Sequence, residues 1–67
     1  MNRMNTNIRI DTVNMLMQGK IETREIVKIL AKKYNTTKQR ICGNLSYLKR
    51  CGAIHVFSDR PHSVAYL

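Results

Sequence analysis

The chain contains two amphipathic helix patterns separated by only two or three polar residues, and this spacing constrains the fold more than any other feature. The first pattern opens at Thr23, a good N-cap residue, and ends near Asn35, a residue type that tolerates the left-handed conformation. The second opens at Thr36 or Thr37 and ends before Gly52, where glycine suits the position after a helix. We therefore predict two helices joined by a tight turn within residues 23–51.

Apolar residues recur along both helices with the period of a single buried face. The helix that opens at Thr23 has a stripe of Ile26, Ile29 and Leu30, with Val27 beside it. The helix that ends before Gly52 has a stripe of Ile41, Leu45 and Leu48. The segment from Thr36 to Gln39 also fits a capping box, in which an N-cap hydroxyl and the side chain three residues later each bond a backbone N–H. Gln39 thus has two competing uses, to cap this helix or to face a partner.

A further helix is expected from Thr6 to Gln18, because apolar residues there follow helical spacing. Its expected core residues are Ile10, Val13, Leu16 and Met17, which leaves Met4, Ile8 and Met15 as a surface for a second copy of the chain. Residues 1–5 are polar and are expected to fray. Gly19 follows the helix, and Ile21 is expected in a very short extended piece.

The last part of the chain, residues 53–67, predicts a β-hairpin. Two groups of strand-forming residues, around Val56 and around Val64, flank the turn-forming segment from Ser58 to Ser63, in which Pro61 fixes φ. The predicted order of elements is helix, short strand, helix, helix, hairpin.

This order resembles the winged helix-turn-helix superfamily. The residues that carry the resemblance are TREIVKILAKKYNTTKQRICGNLSYLKRCGAI, from Thr23 to Ile54, including the ending L-x-x-x-G-x-I before the wing. The resemblance implies one α+β domain over residues 1–67, with three helices plus a C-terminal β-hairpin wing. It also implies a small phage, plasmid or prokaryotic regulator that binds double-stranded DNA. Helix three, about residues 37–51, would enter the major groove, and the wing would lie on the flanking backbone.

One subfamily that recognises left-handed DNA carries an Asn and a Tyr on the exposed face of helix three. Cys42 and Ser46 stand at the matching positions, a departure that argues against this specialised activity.

The charge balance points independently to a polyanionic partner. Twelve Lys and Arg residues against four Asp and Glu residues give a net charge of +8 in a chain of 67 residues. Between Ile26 and Ser58 the chain carries seven basic residues and no carboxylate. A solvated surface usually mixes both signs, so nucleic acid is the first expected partner and an anionic membrane surface the second.

Several other classes find no support in the sequence. Cys42 and Cys51 are too far apart along a helix for a disulfide and are expected to be reduced thiols. The spacing C-x8-C-x3-H-x6-H matches no standard zinc site, and we expect no metal, cofactor or small-molecule ligand. No apolar run is long enough to span a membrane, and the N-terminus lacks the apolar core of a signal peptide. There is no catalytic constellation, so we expect the protein not to be an enzyme.

The expected DNA-binding residues lie on helix three and at the tip of the wing: Thr36, Thr37, Lys38, Gln39, Arg40, Gly43, Ser46, Lys49, Arg50, Arg60 and His62. Gln39 can read adenine, whereas Lys38 and Arg40 can reach guanine or phosphate. Thr36 and Thr37 either cap the helix or hold a phosphate at its N-terminus. Gly43 allows close approach of its backbone either to DNA or to another helix. Arg60 and His62 either touch DNA or belong to a polar turn.

Alternative functions remain open at the sequence level. The chain could be a protein-interaction winged helix, such as a phage-type inhibitor or docking module, or a non-specific architectural DNA binder. A homodimer on a two-fold site is expected for a DNA-binding regulator of this size. The expected location is the cytoplasm, at the nucleoid in a prokaryote or in the host cytoplasm for a viral protein.

Overall fold

The computed structural model describes residues 3–59 and 62–67. Its elements in chain order are α1 (Arg3–Leu16), β1 (Ile21–Glu22), α2 (Thr23–Lys33), α3 (Lys38–Arg50), β2 (His55–Asp59) and β3 (His62–Tyr66). The predicted α+β class is confirmed, because the described residues form three helices and one small antiparallel sheet.

The turn between α2 and α3 is as tight as the sequence predicts. The backbone N–H of Tyr34 donates to the carbonyl of Leu30 at 3.0 Å, and Asn35 adopts the left-handed conformation with φ of 50°. The N–H of Thr36 then donates to the carbonyl of Ala31 at 3.0 Å, which closes the end of α2. These bonds satisfy the last carbonyls of α2 and reverse the chain within a few residues.

The N-cap of α3 is Thr37, one residue later than the capping-box pattern predicts. Its hydroxyl oxygen accepts a hydrogen bond from the backbone N–H of Arg40 at 3.2 Å. With Thr37 as the cap, the position three residues later is Arg40 and not a glutamine. The predicted capping box of Thr36 and Gln39 is therefore wrong.

The sheet has the strand order β1-β3-β2, with β3 in the centre. Ala65 of β3 pairs with Ile21 on one side and with Val56 on the other, and these three side chains face the core. The short extended piece predicted at Ile21 is confirmed as an edge strand. Because side chains alternate across a strand, Phe57 and Val64 lie on the outer face of the sheet.

Thr23 does not cap α2 as predicted. It is the first residue of the helix, and the N-cap position belongs to Glu22, whose side chain forms no capping bond. The Thr23 hydroxyl lies 2.6 Å from the hydroxyl oxygen of Ser63. It therefore joins the start of α2 to the central strand.

One apolar core connects all three helices with the sheet. Its buried members are Ile8, Leu16, Ile26, Val27, Leu30, Ile41, Leu45, Leu48, Ile54 and Ala65. The predicted stripe of α3 is confirmed. The predicted stripe of α2 is wrong at Ile29, which is 47% exposed, because Val27 occupies the buried side in its place.

The buried face of α1 matches the prediction only in part, because Leu16 is buried and Val13 packs against the core as predicted, while Ile10 and Met17 are exposed. The helix also starts earlier than predicted. It begins at Arg3, so residues 3–5 are helical rather than frayed. Ile10 is 53% exposed and Met17 is 70% exposed, whereas Ile8 is fully buried. Met4 and Met15 pack against the core. The predicted second-copy surface of Met4, Ile8 and Met15 is therefore wrong, because these side chains fill the core.

Candidate nucleic-acid interface

Helix α3 has one buried side and one fully exposed side. Ile41, Asn44, Leu45 and Leu48 are its buried residues. At about 100° per residue, the opposite side carries Gln39, Gly43, Ser46 and Arg50, all of which are exposed. We call these four residues the α3 crest. Two of the four have minimal side chains, so the crest is low in relief along its middle.

Gly43 has free space around it. A Cβ atom built at this position meets nothing within 4 Å, apart from its own helix and chain neighbours. Close packing against another helix, one of the two expected reasons for this glycine, is therefore excluded within the described residues. The glycine leaves room for another molecule to approach the backbone of α3.

The turn before α3 places its two threonines differently. Thr37 is exposed and its hydroxyl is engaged as the N-cap, whereas Thr36 is half-buried. Gln39 is exposed and takes no part in the cap. The competition predicted for the Gln39 side chain is thus settled against capping.

On one flank of the crest, an open groove of about 870 Å³ separates α3 from α2 and the hairpin. Three lysines line this α2-side groove, namely Lys28, Lys38 and Lys49. Glu25 also lines it, so the groove is basic but not free of acids. Cys42 and Ser46 form part of its wall, which keeps that wall shallow.

On the other flank, an open groove of about 590 Å³ separates α3 from the N-terminal half of α1. This α1-side groove is lined by Asn5, Arg9, Thr37, Arg40, Gly43, Asn44, Tyr47 and Arg50. Three arginines and no carboxylate are among these residues. Arg40 and Arg50 are expected from the sequence, whereas Arg9 is not, because it lies on α1, outside the α2–α3 pair.

Arg9 is held in this groove by α3. Its Nε donates to Oδ1 of Asn44 at 2.9 Å, and its guanidinium carbon lies 3.8 Å from the centre of the Tyr47 ring. The Asn44 side chain donates in turn to Oδ1 of Asn5 at 3.1 Å and to the carbonyl of Arg40 at 2.9 Å. Because Asn44 is only 4% exposed, these bonds fix its amide and thereby the guanidinium.

One signal in the sequence points to this arrangement. Asn44 falls between Ile41 and Leu48 on the apolar side of α3, and a buried amide needs hydrogen-bond partners. The identity of those partners on α1 depends on tertiary packing.

The carboxylates in ion pairs lie outside the α1-side groove. Two ion pairs join residues that the structure describes: Glu22 with Arg24 at 2.8 Å and Asp11 with Lys33 at 2.9 Å. Asp11 also accepts a hydrogen bond from the hydroxyl of Tyr34. These bonds from Lys33 and Tyr34 lower the pKa of the Asp11 carboxyl below its ordinary value. They raise the pKa of both donors.

The cations of α3 thus keep their charge available to a partner. Lys38, Arg40, Lys49 and Arg50 form no ion pair with any described residue. All four are exposed; Arg50 belongs to the crest itself, Lys38 and Lys49 lie on its α2 side, and Arg40 lies on its α1 side. A polyanion lying along the crest would meet positive charge on each flank.

The two residues predicted at the tip of the hairpin are outside this description. Arg60 lies outside the described residues, and so does the side chain of His62, whose backbone begins β3.

Cys42 and Cys51 are both free and exposed. The described residues contain no group of three or more His, Cys, Asp or Glu that could hold a metal ion. None of their helices is long and apolar enough to cross a membrane. No protein-family model, curated protein or solved structure matches this chain.

Proposed function

We propose that this protein is a winged-helix protein that binds double-stranded DNA, and that it acts as a small transcriptional regulator. The observation that carries the proposal is the α3 crest, a low and exposed helix face flanked on both sides by cations that form no ion pair with a described residue. An α-helix fits the major groove of B-DNA, and phosphates border that groove on both sides. The charge pattern of α3 and its two flanks matches this arrangement.

The order of the elements supports the same proposal. The helix pair α2–α3 and the hairpin β2–β3 follow one another as in the winged helix-turn-helix arrangement. In that arrangement the second helix of the pair enters the major groove and its first turn lies nearest the base edges. Gln39 and Arg40 occupy this first turn and are both exposed.

In this proposal the residues of the crest contact the bases, and the residues on its flanks contact phosphates and so position the protein on the duplex. Gln39 can form two hydrogen bonds with adenine, and Arg50 can do the same with guanine or contact a phosphate. Lys28, Lys38 and Lys49 along the α2-side groove suit the phosphates of one strand. Glu25, at the start of α2, lies in the same groove and disfavours an anion beside it.

A homodimer on DNA is part of the proposal, because one small module covers only about 600–1,000 Å² of a duplex. The outer face of the sheet offers a surface for it. Four exposed apolar side chains, Met17, Phe57, Tyr66 and Leu67, line one open groove there. Val56, on the other face of β2, lines the α2-side groove, so a second copy on the outer face would leave that groove free.

The dimer contact would be weak in the absence of DNA. Two partly exposed aromatic rings, each of roughly 150–250 Å² in total, supply only a modest apolar area per protomer. Stable specific interfaces bury about 1,200–2,000 Å² in total. Two chains of net charge +8 also repel each other. Binding to the same duplex holds the two chains together despite the small contact area and neutralises their positive charge, so we expect dimers to assemble on DNA.

The test is fluorescence anisotropy with a labelled duplex at about 50 and 200 mM salt. If a protomer neutralises roughly five to seven phosphates, affinity falls by about 10³ over this range. Arg50→Ala should weaken binding and reduce the salt slope by about 1. Lys32→Ala is the matched control, since it removes the same charge from an exposed position of α2 outside both grooves. It should bind almost like the unmodified chain.

The alternatives predict different results. The absence of binding at 50 mM salt would overturn the DNA proposal in favour of a protein-docking module. Salt-dependent binding without a preferred site in a random duplex library would indicate an architectural DNA binder instead of a regulator.

A further inference from the structure

The described residues that line the α1-side groove include three arginines and no carboxylate. Arg9 comes from α1, whereas Arg40 and Arg50 come from the two ends of α3. Like charges in one groove repel each other, and that repulsion is relieved when an anion enters. The remaining lining is mostly polar, with two asparagines and the N-cap residue Thr37. The groove therefore has the composition of an anion site.

Arg9 is fixed before any ligand arrives. Its Nε is engaged by Asn44 and its guanidinium plane lies over Tyr47. The bond at Nε leaves the two terminal nitrogens of the guanidinium, which carry four N–H donors, for a ligand. An arginine held in this way loses little conformational freedom on binding.

The guanidinium groups of the groove favour a phosphate group as the ligand. A guanidinium presents parallel N–H donors that match two oxygens of one phosphate group. Arg40 and Arg50, which line the same groove, add positive charge for the tetrahedral anion. The backbone of α3 at Gly43 adds no side chain that would block entry.

We infer that Arg9 is the centre of a phosphate-binding site in the α1-side groove, with Arg40 and Arg50 as flanking cations about 15 Å apart along α3 and Asn44 as the residue that positions Arg9. The inference rests on the proposed function in one respect, because it assigns the phosphate to the backbone of a DNA duplex. The site places α1 on the backbone beside the major groove that receives α3. Arg9 then sets the depth and direction of α3 without reading bases.

The first experiment compares Arg9→Lys with Arg3→Lys by anisotropy on the same duplex. Both changes keep the net charge, and Arg3 lies six residues from Arg9, about 240° around α1, on its exposed side. Lysine cannot bond Asn44 through an Nε–H and present a planar fork at the same time. Arg9→Lys should weaken duplex binding about tenfold through the loss of a charge-assisted hydrogen bond. The salt slope should stay unchanged, and Arg3→Lys should have no effect.

A second experiment needs no variant and therefore does not depend on whether Arg9→Lys folds. The unmodified chain, labelled with nitrogen-15, is titrated with inorganic phosphate while the arginine Nε–H resonances are followed by NMR. The resonances of Arg9, Arg40 and Arg50 should shift together and saturate. The resonance of Arg3, which is exposed and lines neither groove beside α3, is the internal control and should move much less.

The outcomes separate this site from the proposed function. If the unmodified chain binds duplex and Arg9→Lys binds it equally well, the phosphate site is wrong and the DNA proposal stands. If the unmodified chain does not bind duplex but phosphate shifts the three arginine resonances, the phosphate site is supported and its assignment to DNA is wrong. Uniform small shifts of all arginines, Arg3 included, would overturn the site by showing screening alone.

Discussion

Single polar residues decide much of the local structure of this protein. Asn44 lies on the core side of α3 and bonds both Arg9 and Asn5 of α1. Thr12 is fully buried in α1, and its hydroxyl donates to the carbonyl of Ile8 at 2.8 Å. Each buried polar side chain has a partner, so neither leaves an unsatisfied group in the small core.

Thr37→Ala should destabilise the protein, because α3 loses the hydroxyl that caps its first turn. The expected decrease in the free energy of unfolding is about 1 kcal/mol, measured by urea denaturation followed by circular dichroism. Thr36→Ala is the control, since Thr36 contributes its backbone rather than the cap. A larger loss at Thr36 than at Thr37 would contradict this assignment.

Gln39→Ala should change sequence preference and leave stability almost unaffected, because Gln39 is exposed and outside the cap. A lost bidentate contact to a base reduces discrimination at one base pair by about 1–3 kcal/mol. Site selection from a random duplex library would show that loss at one position, and the urea midpoint should not move. An unchanged selected site would remove Gln39 from the base-reading residues.

At the scale of elements, α1 joins the rest of the molecule in two ways. Its buried residues meet the core, and its polar residues connect to α3 through Asn44 and to α2 through Asp11. The bonds to α3 and α2 come from different sides of α1 and orient the helix. These bonds therefore hold Arg9 at a fixed position beside α3.

The contact between α1 and α2 should make stability depend on pH at the acid end. The pKa of Asp11 is lowered by the hydrogen bonds from Lys33 and Tyr34, so its contribution to stability is present above its unfolded pKa, near 3.8. That contribution is lost as the pH falls through the still lower folded pKa. Asp11→Asn should reduce the urea midpoint at pH 7, and the difference should shrink as the pH falls below 3.8 and disappear once the folded carboxyl is protonated. A difference that persists at low pH would indicate lost packing instead.

The same contact predicts the opposite behaviour at high pH. The raised pKa of Lys33 and Tyr34 means that their contribution is complete below their unfolded values, near 10. It is lost as the pH rises above them. Lys33 is well exposed, so this effect is screened by salt.

At the scale of the whole molecule, the proposed DNA and dimer surfaces lie apart. The grooves beside α3 are basic, whereas the groove on the outer face of the sheet is mostly apolar. This separation allows two protomers to contact each other while both contact DNA.

Phe57→Ser should weaken assembly of the second protomer on a two-fold duplex, because Phe57 is 59% exposed at the centre of the proposed contact. We expect a loss of cooperativity of about tenfold, equivalent to about 1.4 kcal/mol. Gel-shift titration should show two separate steps where the unmodified chain gives one. Ile29→Ser is the control, since Ile29 is also exposed but lies on α2, outside that groove. Equal cooperativity in Phe57→Ser and the control would place the dimer contact elsewhere.

Local patterns in the sequence were sufficient to predict most of the helices and strands. The α3 stripe, the left-handed residue at Asn35 and the hairpin are confirmed, because each depends on residues close together in the chain. The exposed position of the crest follows from the same periodicity. The short edge strand at Ile21 could also be predicted from the sequence, since it lies between a glycine and a helix start.

Tertiary structure alone decided which side of α1 is buried and how Arg9 is held. Apolar residues occur on more than one side of α1, and the polar Thr12 interrupts the side that is buried. Periodicity therefore favoured the side with Ile10 and Met17. Packing keeps Leu16 in the core but rotates the buried side toward Ile8, while the Thr12 hydroxyl is satisfied within the helix. That rotation also brings Arg9 to Asn44, 35 residues away in the chain, beyond the range of any local pattern.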